Sequence, residues 1–263
     1  MNNVTYQDLC NSLQKTAVEA GQKIMEIKEG KMGVTYKDDM SPVTLADQAA
    51  EDIILRALRK ISPQIPIVAE ESVSAGIIPE VQEKFWLVDP LDGTKEFISG
   101  GNDFTVNIAL IENGAPTFGI IYAPALGHLY STVEKSVATR QNVKNGNTIE
   151  DEIIISVRKA SNNNLTALAS KSHLDNQTKE FLDKLNVTNT VCAGSSLKFC
   201  VVAEGNADIY PRFGPTMEWD TAAGHAILNA AGGKVINPDG TDFSYCKPFY
   251  KNGAFIATGD IKL

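Results

Sequence analysis

The chain has 263 residues, 43% of them hydrophobic, with a formal net charge of −8, so it is long enough for one large domain or two packed parts around a substantial core. The negative surface repels polyanions and excludes a nucleic-acid polymer as partner, while a small anion stays open where local cations or metals outweigh the global charge. No apolar run reaches the length of a membrane span, and MNNVTYQDLCNSLQKTAVEAG lacks the basic-then-apolar pattern of a signal peptide, so a cytoplasmic protein is expected.

In chain order, Val4, Leu9, Leu13, Ala17, Ala20, Ile24 and Ile27 recur at helical spacing and predict a helix over 4–28, with Gly30 as its stop. A second helix is predicted over 44–60, where Ala46, Ala50, Ile53, Ile54 and Leu58 share a face and Pro63 follows. Short strands fit 66–69 and 85–88. FTVNIALIENG and TFGIIYAPALGHLYSTVEKS read as β ribbons, with turns at Asn113-Gly114 and Ala125-Leu126-Gly127. The polar stretch 139–152 predicts a tip or junction. Beyond it, LTALAS, DIYPRF and KVIN predict strands; 175–186, SSLKFCVVAEG and WDTAAGHAILNAAGG predict helices. Helices followed by ribbons suggest an α+β region over 1–150, and alternating β and α an α/β region over 151–263. Cys10, Cys192, Cys200 and Cys246 form no CxxC pair, which predicts reduced thiols rather than a zinc site or disulfide framework.

Several acids stand where surface residues are not expected. Asp47 lies on the apolar side of its helix, three and seven residues before Ala50 and Ile54. Glu70 and Glu71 follow the apolar run Ile67-Val68-Ala69. Asp89 and Asp92 follow Trp86-Leu87-Val88, although Asp and Pro both disfavour a strand interior. Asp220 opens an Ala-rich helix, where it could equally serve as a cap. Converging carboxylates repel one another unless a cation is bound, and hard oxygen ligands select Mg²⁺, Mn²⁺ or Ca²⁺ over zinc. Gly93 allows close backbone approach, and Thr94 is placed to cap a helix whose first amides can face an anion. Carboxylates for metal beside amides for phosphate point to hydrolysis of a phosphate ester. His128 and His225 belong to no nucleophile arrangement.

The motifs AEES, DPLDGT and WDTAAG, in this order and spacing, resemble those of the inositol monophosphatase-like superfamily of metal-dependent, lithium-sensitive phosphatases. DPLDGTKEF, FTVNIALI, IIYAP, GSSLKFC, VAEG and YPRFGPT resemble its bacterial CysQ-type branch, the 3'(2'),5'-bisphosphate nucleotidases. The resemblance implies a layered αβαβα sandwich. It implies Mg²⁺, two or three ions: one held by Glu70, Asp89 and the carbonyl of Leu91, one by Asp89, Asp92 and Asp220, and a weaker third near Glu70. Asp47 and Thr94 would orient and deprotonate the attacking water, with Glu70 beside them in the catalytic set and Glu71 in support. The amides of Gly93 and Thr94 would grip the scissile phosphate. Glu70, Leu91, Asp92 and Asp220 would line the substrate; His173, Ser195, Lys198 and Arg212 would contact the nucleotide and its 5'-phosphate. Lys198, one turn into a helix opened by Gly194-Ser195-Ser196, suits an anion on chemical grounds, as does Arg212.

The activity so implied is hydrolysis of adenosine 3',5'-bisphosphate to AMP and phosphate, clearing a by-product of sulfate assimilation, in a monomer or homodimer. The resemblance leaves peripheral contact with the inner membrane open. Ala69 stands where many relatives have Ser, and Lys95-Glu96 where inositol monophosphatases often have Thr-Asn. Alternatives are an inositol or sugar phosphatase of the same superfamily, a non-catalytic nucleotide or metal sensor, and a structural Ca²⁺ module. The last lacks an EF-hand-type run.

Overall fold

The structure, a computed structural model, describes residues 6–30, 33–36, 42–160, 164–169, 176–185 and 187–261. Helices α1 (Tyr6–Glu29) and α2 (Leu45–Ile61) follow the apolar periodicity and bury Leu13, Ala17, Ile24, Ala46, Ala50 and Ile54. Between them β1 (Thr35–Tyr36) and β2 (Pro42–Val43) form a small ribbon. Strand β3 (Ile67–Ala69) runs directly into α3 (Glu70–Ser74), and β4 (Lys84–Asp92) into α4 (Thr94–Ile98) through Gly93. Strands β5 (Thr105–Glu112), β6 (Ala115–Ala123), β7 (His128–Glu134), β8 (Val137–Lys144), β9 (Thr148–Ile149) and β10 (Ile153–Ile155) complete a sheet ordered β10-β8-β7-β6-β5-β4-β3, with β9 on β8. Strands β3 and β4 pair in parallel; their neighbours pair antiparallel.

Why FWLV is an unbroken apolar run follows from this sheet's position. Trp86, Val88, Val106 and Ile108 point into a core shared with α1 and α2, while Phe85, Leu87, Ala109 and Ile111 point into a second core. Both faces are buried, so alternation between apolar and polar disappears.

The second sheet follows: β11 (Leu165–Ala169), α5 (Asn176–Asp183), β12 (Val187–Cys192), α6 (Leu197–Ala203), β13 (Ile209–Arg212), β14 (Thr216–Met217), α7 (Glu218–Ala230), β15 (Lys234–Ile236), β16 (Lys251–Asn252) and β17 (Phe255–Thr258). Five strands are ordered β12-β11-β13-β17-β15, and β14 with β16 forms a separate ribbon. Phe199 and Cys200 of α6 and Ala223 and Ile227 of α7 fill the space between the two sheets, meeting Leu87 and Ala109 on one side and Tyr210 and Phe255 on the other. Helix α7 is Ala-rich because it lies directly on the large sheet: a Cβ at Gly119 of β6 would come within 2.5 Å of the Ala223 carbonyl. Phe181 and Leu182 of α5 pack on Leu165, Ala167, Ile209 and Ile256 behind the second sheet. The layers are therefore α1/α2, sheet, α6/α7, sheet, α5: an αβαβα sandwich.

The structure departs from expectation at identifiable places. The polar stretch expected as a tip contains most of β8, whose face toward α1 carries the buried Thr139, Gln141 and Val143. Gln141 reads as exposed in sequence but is buried, its Oε1 accepting from Gln14 of α1 at 2.7 Å. Strand β4 continues past 88 to Asp92 because Pro90-Leu91 bulge outward: Asp89 pairs with Asn107 and Asp92 with Thr105, leaving two residues opposite Val106. Strands β12 and β17 were not expected, and β17 lies inside its sheet, between β13 and β15. Among the described residues no helix is long and apolar enough to cross a membrane.

Candidate active site

The acids of the sequence converge where elements of the large sheet end and α7 begins. Asp47 is the third residue of α2. Its Oδ2 accepts from the Thr44 amide at 2.6 Å and the Thr44 hydroxyl at 2.7 Å, so it closes the helix cap. Its other oxygen, Oδ1, lies 3.1 Å from the Thr94 hydroxyl. That hydroxyl also lies 3.1 Å from the Leu91 carbonyl; having one proton, it donates to one acceptor at a time or divides itself between them. Burial pushes the Asp47 carboxyl above its ordinary pKa, and the hydrogen bonds from Thr44 and Thr94 oppose that shift.

Glu70 opens α3 immediately after β3, and the parallel pairing of Ala69 with Val88 places it beside Asp89. Asp89 is 1% exposed, and its Oδ1 accepts from the Leu91 amide at 3.0 Å. That contact curls the Pro90 bulge round its own carboxylate. Gly93 has φ +95°, and a Cβ there would stand 2.9 Å from the Asp103 carbonyl; only glycine fits the turn. Thr94 is the first residue of α4, with Gly93 as its cap. The expected helix cap is thus Gly93 rather than Thr94, whose hydroxyl turns back to Asp47, the partner the family resemblance implied. Asp220, third residue of α7, accepts from the Met217 amide at 2.8 Å.

Glu70, Asp89, Leu91, Asp92, Thr94 and Asp220 line one cleft of about 320 Å³. Burial, followed by the charges of Glu70, Asp92 and Asp220, raises Asp89 well above the ordinary carboxylate range. Asp220 is raised in the same way, by burial first and then by Asp92 and Glu70.

A second recess of about 490 Å³ adjoins the cleft and shares Asp92, Gly93 and Asp220 with it. Ser195, Lys198, Tyr210 and Arg212 line its far side. Lys198 lies in the first turn of α6, its ammonium donating to the Ser195 carbonyl at 2.7 Å and standing 5.3 Å from the Tyr210 ring. Burial lowers its pKa to about 8. The Nε–H of Arg212 is buried with no hydrogen-bond partner among the described residues. Ser195 holds φ +44°, the left-handed region a serine rarely adopts. His173 lies outside the described residues. His225 is buried, with Nδ1 3.1 Å from the Tyr245 hydroxyl, and burial drives its pKa to about 3; it is a neutral core residue.

Four contributors escaped the sequence reading. Thr44 had a signal, the T-x-x-D capping pattern. Glu51, one turn after Asp47, accepts from the amides of Glu71 and Ser72 at 2.8 and 2.9 Å and so holds the start of α3 against α2. Asp103 accepts from the Gly194 amide at 2.9 Å. Asn107 reaches Ser196 from β5. Nothing local to the last three announces these partners.

The sequence profile described as the Inositol monophosphatase family matches residues 6–261. The chain belongs to the inositol monophosphatase family. It is 46% identical over 236 residues to the "3'(2'),5'-bisphosphate nucleotidase CysQ" of Salmonella typhimurium, covering 87% of this chain and 90% of that protein. It is 31% identical over 244 residues to an inositol monophosphatase of Mesembryanthemum crystallinum, covering 92% and 89%. The crystal structure of CysQ from Bacteroides thetaiotaomicron superposes with a TM-score of 0.82 at 36% identity, over 99% of this chain and 100% of that one.

The cleft's chemistry fits the metal dependence of this family. Recessed carboxylates raised by one another's charge are the donor set that a divalent ion relieves. Among the described residues no three His, Cys, Asp or Glu side chains close round an ion by themselves.

Proposed function

We propose that this chain is a 3'(2'),5'-bisphosphate nucleotidase that hydrolyses the 3'-phosphate of adenosine 3',5'-bisphosphate, giving AMP and inorganic phosphate. The observation that carries the reading is the junction of two pockets: an acidic cleft adjoining a recess with Lys198 and the Nε–H of Arg212, which has no partner among the described residues, on its far side. A substrate with two phosphates suits that pairing. The 46% identity to a named nucleotidase supports it.

Two or three Mg²⁺ ions, held by Glu70, Asp89, the Leu91 carbonyl, Asp92 and Asp220, would neutralise the phosphate and make water nucleophilic at neutral pH. Around them this chain supplies the positioning. Asp47 accepts the Thr94 hydroxyl proton, so the Thr94 oxygen accepts a proton in turn from the attacking water. The water oxygen bonds to phosphorus as the ester oxygen leaves with the bonding pair and takes up a proton. Amides of Gly93 and Thr94 orient the scissile phosphate, with Glu70 beside the attacking water. Ser195, Lys198 and Arg212 hold the 5'-phosphate and sugar. His173 keeps the same assignment. The four cysteines are free, as the reducing cytoplasm in which we place the enzyme keeps them.

The test is phosphate release with Mg²⁺, repeated with Li⁺, from adenosine 3',5'-bisphosphate, AMP and inositol 1-phosphate. Fastest turnover of the bisphosphate, suppressed by Li⁺, is expected. Faster turnover of inositol 1-phosphate overturns the substrate, and no release from any ester overturns the enzyme. Lys198→Ala should impair the bisphosphate alone; equal loss on inositol 1-phosphate removes its 5'-phosphate role.

A further inference from the structure

Ser196 sits between the two pockets, and its contacts exceed what a helix start requires. Its amide donates to Asp92 Oδ2 at 2.6 Å, and its hydroxyl lies 2.7 Å from the same oxygen. The hydroxyl oxygen also accepts from Asn107 Nδ2 at 2.8 Å and lies 2.8 Å from the Asp220 carbonyl. A serine hydroxyl has one proton. The carboxylate is the stronger acceptor for it, because an ionised partner roughly doubles the bond. Asn107 fills a lone pair and fixes the rotor, and both residues are 1% exposed, so water does not compete.

We propose that Ser196 is a positioning residue for Asp92 and ties the substrate recess to the metal cleft. This rests on the reading above that Asp92 holds magnesium. With Oδ2 engaged twice by one residue, Asp92 cannot rotate, and Oδ1 is left to face the cleft as a single-oxygen ligand. The anchor is shared. Ser196 caps α6, Ser195 precedes it in the left-handed conformation, and Lys198 follows two residues later. The loop that meets the far phosphate is therefore bonded to the ligand that meets the metal, and it touches the backbone of Asp220 as well. Partners that orient a ligand in this way typically contribute about 10- to 100-fold in metal affinity.

The experiment is calorimetric titration of Mg²⁺ into the full chain without nucleotide, comparing the unaltered protein with Ser196→Ala and Ser196→Cys. Ser196→Ala should bind Mg²⁺ about tenfold more weakly, and its turnover should recover when Mg²⁺ is raised. Ser196→Cys keeps the shape with a weaker donor; it should also bind more weakly, and it carries the comparison if the alanine variant does not fold. A lower melting temperature without metal, together with an unchanged Mg²⁺ dissociation constant, overturns the proposal and leaves the proposed activity standing. No Mg²⁺ uptake by the unaltered protein overturns the metal reading and this proposal together. The preferred ester plays no part in either measurement.

Discussion

Asp208 and Asp89 are both buried acids, 0% and 1% exposed, and they show two uses of the same side chain. Asp208 accepts from Arg158 Nε at 2.8 Å, Arg158 Nη2 at 2.6 Å and the Thr166 amide at 2.7 Å. Its charge is met within the fold, and it fastens the residues before β11 to the loop before β13. Asp89 instead faces Glu70, Asp92 and Asp220, which push its carboxyl upward together with burial. One acid has its cation built in. The other meets like charge, which the metal of the proposed function would relieve, and the protein carries the repulsion as a cost in stability. A buried carboxylate alone does not mark a site; the sign of its neighbours does.

The largest contrast should come from exchanging charge for amide. If Asp89 holds the metal as proposed, Asp89→Asn should reduce kcat by about 1000-fold, while the metal-free melting temperature stays level or rises. Asp208→Ala should do the reverse. It should cost about 2–3 kcal/mol in urea unfolding, since it strands the Thr166 amide and the half-exposed Arg158, with kcat little changed in the folded fraction. Activity lost in both, or stability lost in both, breaks the distinction.

Metal should act on the first region alone. At a hundred times its dissociation constant, Mg²⁺ should stabilise the unaltered protein by about 2.7 kcal/mol, read as a rise in melting temperature. Asp220→Asn should lose most of that rise.

Lys198 supplies a pH signature. Burial lowers it to about 8, so its ammonium loses its proton well before an ordinary lysine. Above that pH, kcat/KM for the bisphosphate should fall by about tenfold per unit. Lys198→Ala should be flat over the same range, and turnover of inositol 1-phosphate should show no such limb. The smallest effect belongs to Arg140 and Glu204, a 3.1 Å pair with side chains 30% and 12% exposed. Arg140→Ala should cost about 0.5–1 kcal/mol, setting the scale for a charge pair that keeps contact with water.

Much of this was legible along the chain. The buried faces of α1 and α2 follow from apolar spacing, and Asp47 betrayed itself by standing on the wrong side of α2. DPLDGT showed its acids, its proline and its glycine. What stayed illegible has a common cause. Gln141 in β8 is polar in sequence and buried in space because Gln14, on α1, bonds it. Glu51 reads as a surface helix residue until α3 folds back on it. Ser196 looks like one of two serines opening a helix, and its partners Asp92 and Asn107 lie 104 and 89 residues away.

By itself, then, the sequence determined which residues could form a metal-dependent phosphatase: the apolar runs that place strand ends, and the carboxylates, glycine and threonine at those ends. Local pattern suffices there, because periodicity and turn chemistry act over a few residues. Tertiary structure alone decided which of two serines meets Asp92 and that the acidic cleft and the Lys198 recess adjoin across Asp92, Gly93 and Asp220. Those depend on how α6 and α7 sit between two sheets, where partners far apart in the chain satisfy polar groups that burial has cut off from water.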